Sequence, residues 1–222
     1  MARSTDTLFA EFCAPGTTWG PSPGVRESWA RGRRRYAVWL VRVRAPEVLA
    51  RMQLVADTLG DAVEPTPPAE AHITLWVAGF PAETPCHDDD VSEAVLVAQA
   101  EALQAQLRGV SGVRLEVGGA NAFLTCAVLD VFDPDGALAS ARACLDNVGK
   151  ELRFGPYHPH VTAGRFVDSR DRAPLAEALR PLRALPRIPL DVLAVELCTF
   201  DAQVEALHLT TAARVQLTDR PR

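Results

Sequence analysis

Lysine is nearly missing from this chain of 222 residues: Lys150 is the only one, so arginine carries almost all of the positive charge. We attribute this bias mainly to genome composition, although a guanidinium also binds phosphate better than an ammonium does, through two donors at once. A basic excess is missing as well, because the formal net charge is −5. This argues against a broad, nonspecific grip on long nucleic acid, which requires a basic face. A nucleotide or an RNA end needs only a local positive pocket, so the charge is compatible with such a ligand.

Paired cysteines and long apolar runs are also missing. The five cysteines are scattered, include no Cys-x-x-Cys and are odd in number, which favours a reducing compartment over a disulfide framework. The N-terminus has no apolar stretch of secretory length, and no run approaches the length of a membrane span. We therefore expect a cytoplasmic protein with no membrane contact. The hydrophobic fraction of 48% is that of an ordinary globular domain.

The most informative feature that is present is a tripeptide that occurs twice. His-x-Thr is found at His72-Ile73-Thr74 and at His160-Val161-Thr162, so the two histidines are 88 positions apart. Each copy lies in a run that reads as a β-strand, and similar tails follow, Ala78-Gly79-Phe80 and Ala163-Gly164-Arg165-Phe166. One copy would be a weak signal, because a strand histidine is usually satisfied by a neighbour. Two matched copies in strand context indicate an internal duplication and favour a functional interpretation.

The spacing of the motif suits acid–base chemistry. Residues two apart in a strand point to the same face, so each copy presents an imidazole beside a hydroxyl. If both pairs face one cavity, they supply an acid, a base and two neutral oxygen-binding donors. Histidine fits both proton-transfer roles because its pKa lies near working pH. This set of groups suits the cleavage of a phosphodiester without a metal ion.

At these residues the chain resembles the two-histidine (2H) phosphoesterase superfamily. The family signature is a pair of His-hydrophobic-Thr/Ser-hydrophobic motifs, matched here by His72-Ile73-Thr74-Leu75 and His160-Val161-Thr162-Ala163. LigT-like members include RNA 2′,3′-cyclic phosphodiesterases and the so-called 2′-5′ RNA ligases. The resemblance runs from about Tyr36 to the C-terminal region and does not explain the first 35 residues. It implies an α+β fold of two duplicated lobes, with antiparallel sheets around a central cleft and helices outside.

The resemblance also implies roles for the site residues. His72 would be the proton donor and His160 the proton acceptor, a division that the residues alone leave open. Thr74 and Thr162 would bind the non-bridging phosphate oxygens. The implied activity is hydrolysis of a 2′,3′-cyclic phosphate, on an RNA end or a small nucleotide, to a 2′-phosphomonoester. Family members also act on ADP-ribose 1″,2″-cyclic phosphate or on 2′-5′ linkages, so the natural substrate stays open. It needs no cofactor and no metal, and we expect a monomer.

Hydrophobic periodicity and turn residues place these motifs in a mixed fold. The predicted order is β-α-β-α-β-β-α-β-α-β-β, with strands separated by helices and then paired into hairpins. The predicted elements are a strand at 36–43, a helix at 46–59, the first motif strand at 72–80, a helix at 92–108, strands at 113–118 and 122–131 paired across Gly118-Gly119, a helix at 136–148, the second motif strand at 158–166, a helix at 173–183, and strands at 190–200 and 205–215. We treat residues 36–222 as one bilobal domain.

Residues 1–35 are expected to form an N-terminal extended arm. Dense Pro and Gly punctuation argues against regular structure there, while the aromatics Phe9, Phe12, Trp19 and Trp29 would tie the arm to the body. The basic run at 31–35 is read mainly as a solvated boundary, with contact to RNA as the alternative. The acidic run Asp88-Asp89-Asp90 is read as a complement to the positive end of the next helix.

Three further residues are assigned to substrate binding. Trp76 shares the parity of His72 and Thr74, so it would stack on a base or, equally, serve as a core aromatic. Arg165 would pair with phosphate, but strict alternation puts it opposite His160 unless a bulge intervenes. Tyr157 and His158 are expected at the rim of the site.

Two other functions compete with the hydrolase. A catalytically silent nucleotide- or RNA-binding module would keep the cleft, but binding alone does not need a general acid and a general base. A metal hydrolase would use His158, His160 and Asp88–Asp90, although zinc requires three or four protein ligands. A purely structural role is disfavoured, because two matched polar pairs on strands cost burial energy without return.

Overall fold

The computed structural model describes residues 4–108, 110, 112–153 and 155–217. The helices are α1 Thr5–Cys13, α2 Val25–Ala30, α3 Pro46–Leu59, α4 Glu93–Leu107, α5 Ala137–Asp146 and α6 Arg172–Arg183, with short 3-10 turns at Gly60–Ala62 and Pro68–Glu70. The strands are β1 Arg35–Arg42, β2 Val63–Pro65, β3 His72–Ala82, β4 Asp90–Ser92, β5 Val113–Ala122, β6 Cys126–Phe132, β7 His160–Phe166, β8 Ile188–Val192, β9 Ala194–Asp201 and β10 Thr210–Gln216. Within these residues, no helix is both long and apolar enough to cross a membrane.

The strands form one curled, mainly antiparallel sheet in the order β10-β9-β1-β3-β7-β6-β5-β8. Its two halves correspond strand for strand, with the motif strands β3 and β7 adjacent at the centre. They meet at a single residue pair, Ile73 and Val161. The predicted α+β fold of two duplicated halves is therefore confirmed. The predicted strand at 190–200 is in fact two strands, because the chain crosses from one half to the other near Leu193.

A single large core lies between the sheet and the helices. It combines Ile73 and Val161 of the motif strands with apolar residues of α1, α3, α4, α5 and α6. Helices thus cover the face of the sheet opposite to the motif histidines. A smaller cluster around Tyr36, Leu40 and Phe80 fills the other face of the first half. Burying each such side chain contributes roughly 1.5–3 kcal/mol, so the parity of the motif strands is strongly fixed.

The N-terminal segment differs from the expected extended arm, because α1 and α2 lie within it. Ser4 caps α1 by accepting a hydrogen bond from the Thr7 N–H (3.1 Å), and Phe9 and Phe12 of that helix are buried in the core. Proline and glycine are concentrated between the two helices, where they break regular structure without preventing helices on either side. The predicted aromatic anchoring is confirmed for these two phenylalanines and for Trp29, which packs against Tyr36 and Phe80. It is wrong for Trp19, which is 61% exposed.

The basic and acidic runs pair with each other, which neither prediction anticipated. Arg33 binds both Asp89 and Asp90, and Arg31 binds Asp89. The α4 N-terminus is capped by Ser92, whose hydroxyl accepts a hydrogen bond from the Val95 N–H (3.3 Å). Asp89 and Asp90 therefore neutralise arginines of the N-terminal segment instead of complementing the helix.

The predicted turn at Gly118-Gly119 is a bulge inside β5. The register between β5 and β6 shifts between Val117 and Ala120, and the real turn lies at residues 123–125. A Cβ atom on Gly119 would clash with the Arg183 carbonyl oxygen at the end of α6. Glycine is thus required here by the close approach of a helix, and its turn propensity misled the prediction.

This contact predicts unequal effects at the two neighbouring glycines. Gly119→Ala should lower the free energy of unfolding by about 1–3 kcal/mol or more, because the added methyl meets rigid backbone. Gly118→Ala is the matched control: the nearest atom to its Cβ would be on the Phe132 ring edge, at 2.7 Å, and this side chain can turn aside. Urea unfolding measures both values, and equal losses would contradict the asymmetry.

Candidate active site

The two motifs converge because of the register of β3 and β7. Ile73 lies opposite Val161 in antiparallel pairing, which places His72 beside Thr162 and Thr74 beside His160. Ile73 and Val161 are fully buried toward the helices, whereas the other four residues are half-buried on the opposite face. We call these four residues, His72, Thr74, His160 and Thr162, the paired-motif site.

Both histidines are held by the same hydrogen bond. His72 Nδ1 lies 2.7 Å from the Glu70 carbonyl oxygen, and His160 Nδ1 lies 2.7 Å from the His158 carbonyl oxygen. Because a carbonyl can only accept, each Nδ1 carries a proton and donates it. The Nε2 atom of each ring is therefore the one that exchanges a proton. In the neutral ring it is a base, and in the imidazolium it is an acid.

Burial shifts both imidazoles toward the neutral form. It lowers the pKa of His160 to about 4, and the neighbouring His158, His72 and Arg153 also lower it. Burial likewise lowers the pKa of His72, with Arg42 as a further lowering charge. Bonds to the Glu70 and His158 carbonyls, and the Glu70 carboxylate near His72, oppose these shifts. Both motif histidines are therefore held toward the neutral, proton-accepting form.

Trp76 does not lie on the face of His72, although its parity predicted that it would. The register between β1 and β3 shifts between Trp39 and Leu40, so Leu75 is an extra, bulged residue. The bulge reverses the alternation and turns Trp76 into the core, where it is fully buried. Trp76 is therefore a core aromatic, and the base-stacking assignment is wrong.

Arg165 is brought to the site face by an equivalent bulge. The register between β6 and β7 shifts between Ala127 and Val128, so Ala163 is extra and Arg165 shares the face of Thr162. Its guanidinium donates to a Glu64 carboxylate oxygen (2.8 Å) and to the Glu205 carbonyl (3.1 Å). The bulge follows the third motif residue in both strands, so the duplication extends beyond the tripeptides.

Tyr157 contacts the back of the first motif. Its hydroxyl donates to the Thr74 carbonyl oxygen (3.1 Å), and its ring lies beneath the guanidinium groups of Arg142 and Arg153. Glu151 binds both of these arginines. Burial raises the pKa of the Tyr157 hydroxyl, so that it remains a protonated donor. Tyr157 thus supports the Thr74 backbone, while Arg153 adds positive charge near His160.

Two residues near the histidines were missed by the sequence analysis. Phe123 packs its ring against His160, with the ring centroids 4.9 Å apart. Arg42 pairs with His72 across β1 and β3 and so shares its face. The signal for Arg42 was its place at the end of a predicted strand, but no pattern indicated which strand would neighbour the motif.

His158 is buried behind His160 rather than placed at the rim. Its Nε2 atom lies 2.9 Å from a carboxylate oxygen of Asp130. Among the residues that the structure describes, no group of three or more His, Cys, Asp or Glu side chains could hold a metal ion. The alternative metal site fails to assemble there, because Asp89 and Asp90 bind arginines instead.

Comparison with known proteins agrees with this geometry. The family model of the 2′-5′ RNA ligase superfamily matches residues 46–204, which is more than two thirds of the chain. No curated protein sequence gives a significant match.

Solved structures share the fold at low sequence identity. The protein TT0787 of Thermus thermophilus aligns with a TM-score of 0.58 and 16% identity, covering 83% of this chain and 98% of that one. E. coli LigT complexed with 3′-AMP aligns with a TM-score of 0.55 and 16% identity, covering 84% and 100%. A protein described as a phosphoesterase aligns with a TM-score of 0.57 and 18% identity, covering 83% and 99%.

The buried histidines predict a specific titration. In the free protein both imidazoles should gain their protons below the ordinary histidine pKa of about 6.5, with His160 near pH 4. Inorganic phosphate should raise both values, because an anion stabilises the imidazolium. NMR titration, with signals assigned from His72→Ala and His160→Ala, measures this. Either ring titrating at or above about 6.5 without phosphate would contradict it.

Proposed function

Because the chain belongs to the 2′-5′ RNA ligase superfamily, we propose that it is a metal-independent cyclic nucleotide phosphodiesterase. It opens the 2′,3′-cyclic phosphate of an RNA end or a small nucleotide to a 2′-phosphomonoester. The observation that carries this proposal is the convergence of both His-x-Thr motifs on one face through the Ile73–Val161 pair. A binding module would not need two half-buried imidazoles with free proton-exchange atoms beside two hydroxyls.

The proposed mechanism gives each histidine one proton-transfer role. Neutral His160 takes a proton from the attacking water as its oxygen bonds to phosphorus. His72, protonated once the phosphate is bound, gives its Nε2 proton to the departing 3′ oxygen as the P–O3′ bond breaks. Proton exchange with solvent then restores both rings. Burial lowers the pKa of His160 and keeps its ring neutral, which suits the base role and agrees with the family assignment.

Phosphate binding draws on the hydroxyls and on arginine. The Thr74 and Thr162 hydroxyls would donate to the non-bridging oxygens as charge builds on them. Arg165 would add its guanidinium by exchanging its bond to the exposed Glu64 for one to phosphate. Tyr157, assigned to substrate binding, acts through the Thr74 backbone.

The nucleoside would lie against Phe123. This ring is partly exposed and already contacts His160, so it offers a stacking surface beside the reacting phosphate. LigT is described in complexes with 3′-AMP, ATP and NADP+. Those complexes support a nucleotide ligand for the present site. We propose further that the protein acts as a cytoplasmic monomer.

The primary test is hydrolysis of the four nucleoside 2′,3′-cyclic monophosphates in EDTA. Wild type should turn over and yield the 2′-phosphate by phosphorus NMR. His72→Ala and His160→Ala should each lose about 10²- to 10⁴-fold in kcat, because each removes a proton-transfer group. Arg114→Ala is the control, because Arg114 is exposed near the start of β5. Absence of wild-type turnover, or loss of activity in EDTA, would reject the proposal for these substrates.

The Thr74 and Thr162 hydroxyls should each contribute to kcat to a similar extent. Thr74→Val and Thr162→Val preserve shape and should each lower kcat by about 10²- to 10³-fold, as expected when one donor to a developing oxyanion is lost. Thr58→Val, on the exposed side of α3, is the matched control. Single-turnover kinetics would measure the chemical step. A loss confined to KM would show that the hydroxyls bind substrate without stabilising the transition state.

A further inference from the structure

A buried ionisable pair lies directly behind His160. Asp130 occupies the position opposite His160 in the β6–β7 register, and its side chain reaches His158. Asp130 is 5% exposed and His158 is 3% exposed. An ionised carboxylate only accepts hydrogen bonds, so the Nε2 atom of His158 carries the proton that lies between them. Groups buried to this extent are costly unless fully bonded, which indicates a specific use for the pair.

The pair continues into a hydrogen-bonded chain. The Asn121 amide nitrogen lies 3.0 and 3.1 Å from the two Asp130 carboxylate oxygens and 2.9 Å from the Thr5 carbonyl oxygen. Asn121 is fully buried. Thr5 begins α1 and lies outside residues 46–204, which match the family. The buried side chains of Asn121, Asp130 and His158 therefore connect the N-terminal helix to the residue whose carbonyl binds His160.

The backbone of His158 connects this chain to the site. Its carbonyl oxygen accepts the Nδ1–H of His160 at 2.7 Å and thereby fixes the ring and its tautomer. The two imidazole rings lie 6.4 Å apart and almost parallel, and the Phe123 ring packs edge-on against both. Any movement of His158 would consequently move the Nε2 atom of His160.

We propose that Asp130 and His158 are positioning residues for His160, which they hold in the orientation and tautomer that a proton acceptor needs. This inference rests on the proposed function, in which His160 takes the proton from water. Asp130 fixes the His158 side chain, and the His158 carbonyl fixes the His160 ring. Neither residue touches the substrate. Second-layer partners of this kind keep a reacting group within a fraction of an ångström of its productive position.

The other histidine has a separate support. His72 donates to the Glu70 carbonyl, and the Glu70 carboxylate accepts the Leu209 N–H (3.0 Å) and lies 3.5 Å from Arg42. The Asp130–His158 pair has no part in these contacts. A change at Asp130 or His158 should therefore alter His160 and leave His72 in place, which a general loss of stability would not do.

Kinetics of three variants test the proposal. Asp130→Asn and His158→Leu should lower kcat by about 10- to 100-fold while KM changes less than about threefold, since the phosphate contacts remain. His158→Gln keeps a donor that can reach Asp130 and should retain most of the activity. Asp191→Asn, an exposed carboxylate on β8, is the matched control. Equal losses in His158→Gln and His158→Leu would overturn the proposal, as would unchanged kcat in a folded Asp130→Asn.

A second readout does not depend on turnover. Long-range ¹⁵N–¹H spectra should show His160 of the wild type as the Nδ1–H tautomer, and Asp130→Asn and His158→Leu should mix its tautomers or broaden its signals. The His72 signals should stay unchanged. If His160 keeps its spectrum in both variants, the positioning role is wrong whatever the substrate. If the spectra change as expected while no cyclic phosphate is hydrolysed, the proposed reaction fails and the positioning role stands.

Discussion

One antiparallel residue pair, Ile73 with Val161, aligns the two motif strands and sets the geometry of the site. Both side chains are fully buried against the helices. Burial of that face forces the residues on either side, two imidazoles and two hydroxyls, onto the opposite face. A slip of one residue in either motif strand would turn these polar groups into the core and expose the apolar ones. Burial of apolar side chains therefore orients the two histidines and two threonines, although the apolar side chains themselves take no part in the reaction.

The surroundings on the site face decide how these groups ionise. An apolar cluster around Leu40 and Phe80 fills the face on one side, and the buried Asn121 and Asp130 fill it on the other. The motif histidines lie half-buried between these two regions, so they are desolvated enough for their pKa values to fall yet can still contact a ligand. A bound phosphate would reverse part of that shift. Binding of the phosphate thus favours the protonated imidazole that the reaction needs, which suits catalysis by proton transfer.

The sequence was informative where the signal was local. Alternation along each motif predicted that histidine and threonine share a face, and α3 begins and ends as Pro46 and Gly60 indicated. It failed where tertiary packing overrides alternation. The bulges at Leu75 and Ala163 reverse parity, so Trp76 enters the core and Arg165 joins the site face. A bulge arises from the way a strand pairs with its neighbours and contacts a nearby helix. The alternation of residues along the sequence contains no information about those contacts.

Long-range pairing was the other source of error. Arg33 and the aspartates Asp89 and Asp90 lie far apart in the sequence, so each charged run was interpreted alone. The same applies to Asp130 and His158, whose partnership depends on the β6–β7 register. A buried pair of this kind carries no periodic signature. Physical reasoning from sequence locates groups that share a strand or helix, while the sheet order decides which strands meet.

The central claim is that both motifs act on one phosphorus atom. The most direct measurement is a crystal structure of the protein soaked with inorganic phosphate. We expect one phosphate within hydrogen-bond distance of both histidine Nε2 atoms and of both the Thr74 and Thr162 hydroxyls. A phosphate held by one motif alone, or histidine Nε2 atoms too far apart to share one anion, would contradict the account.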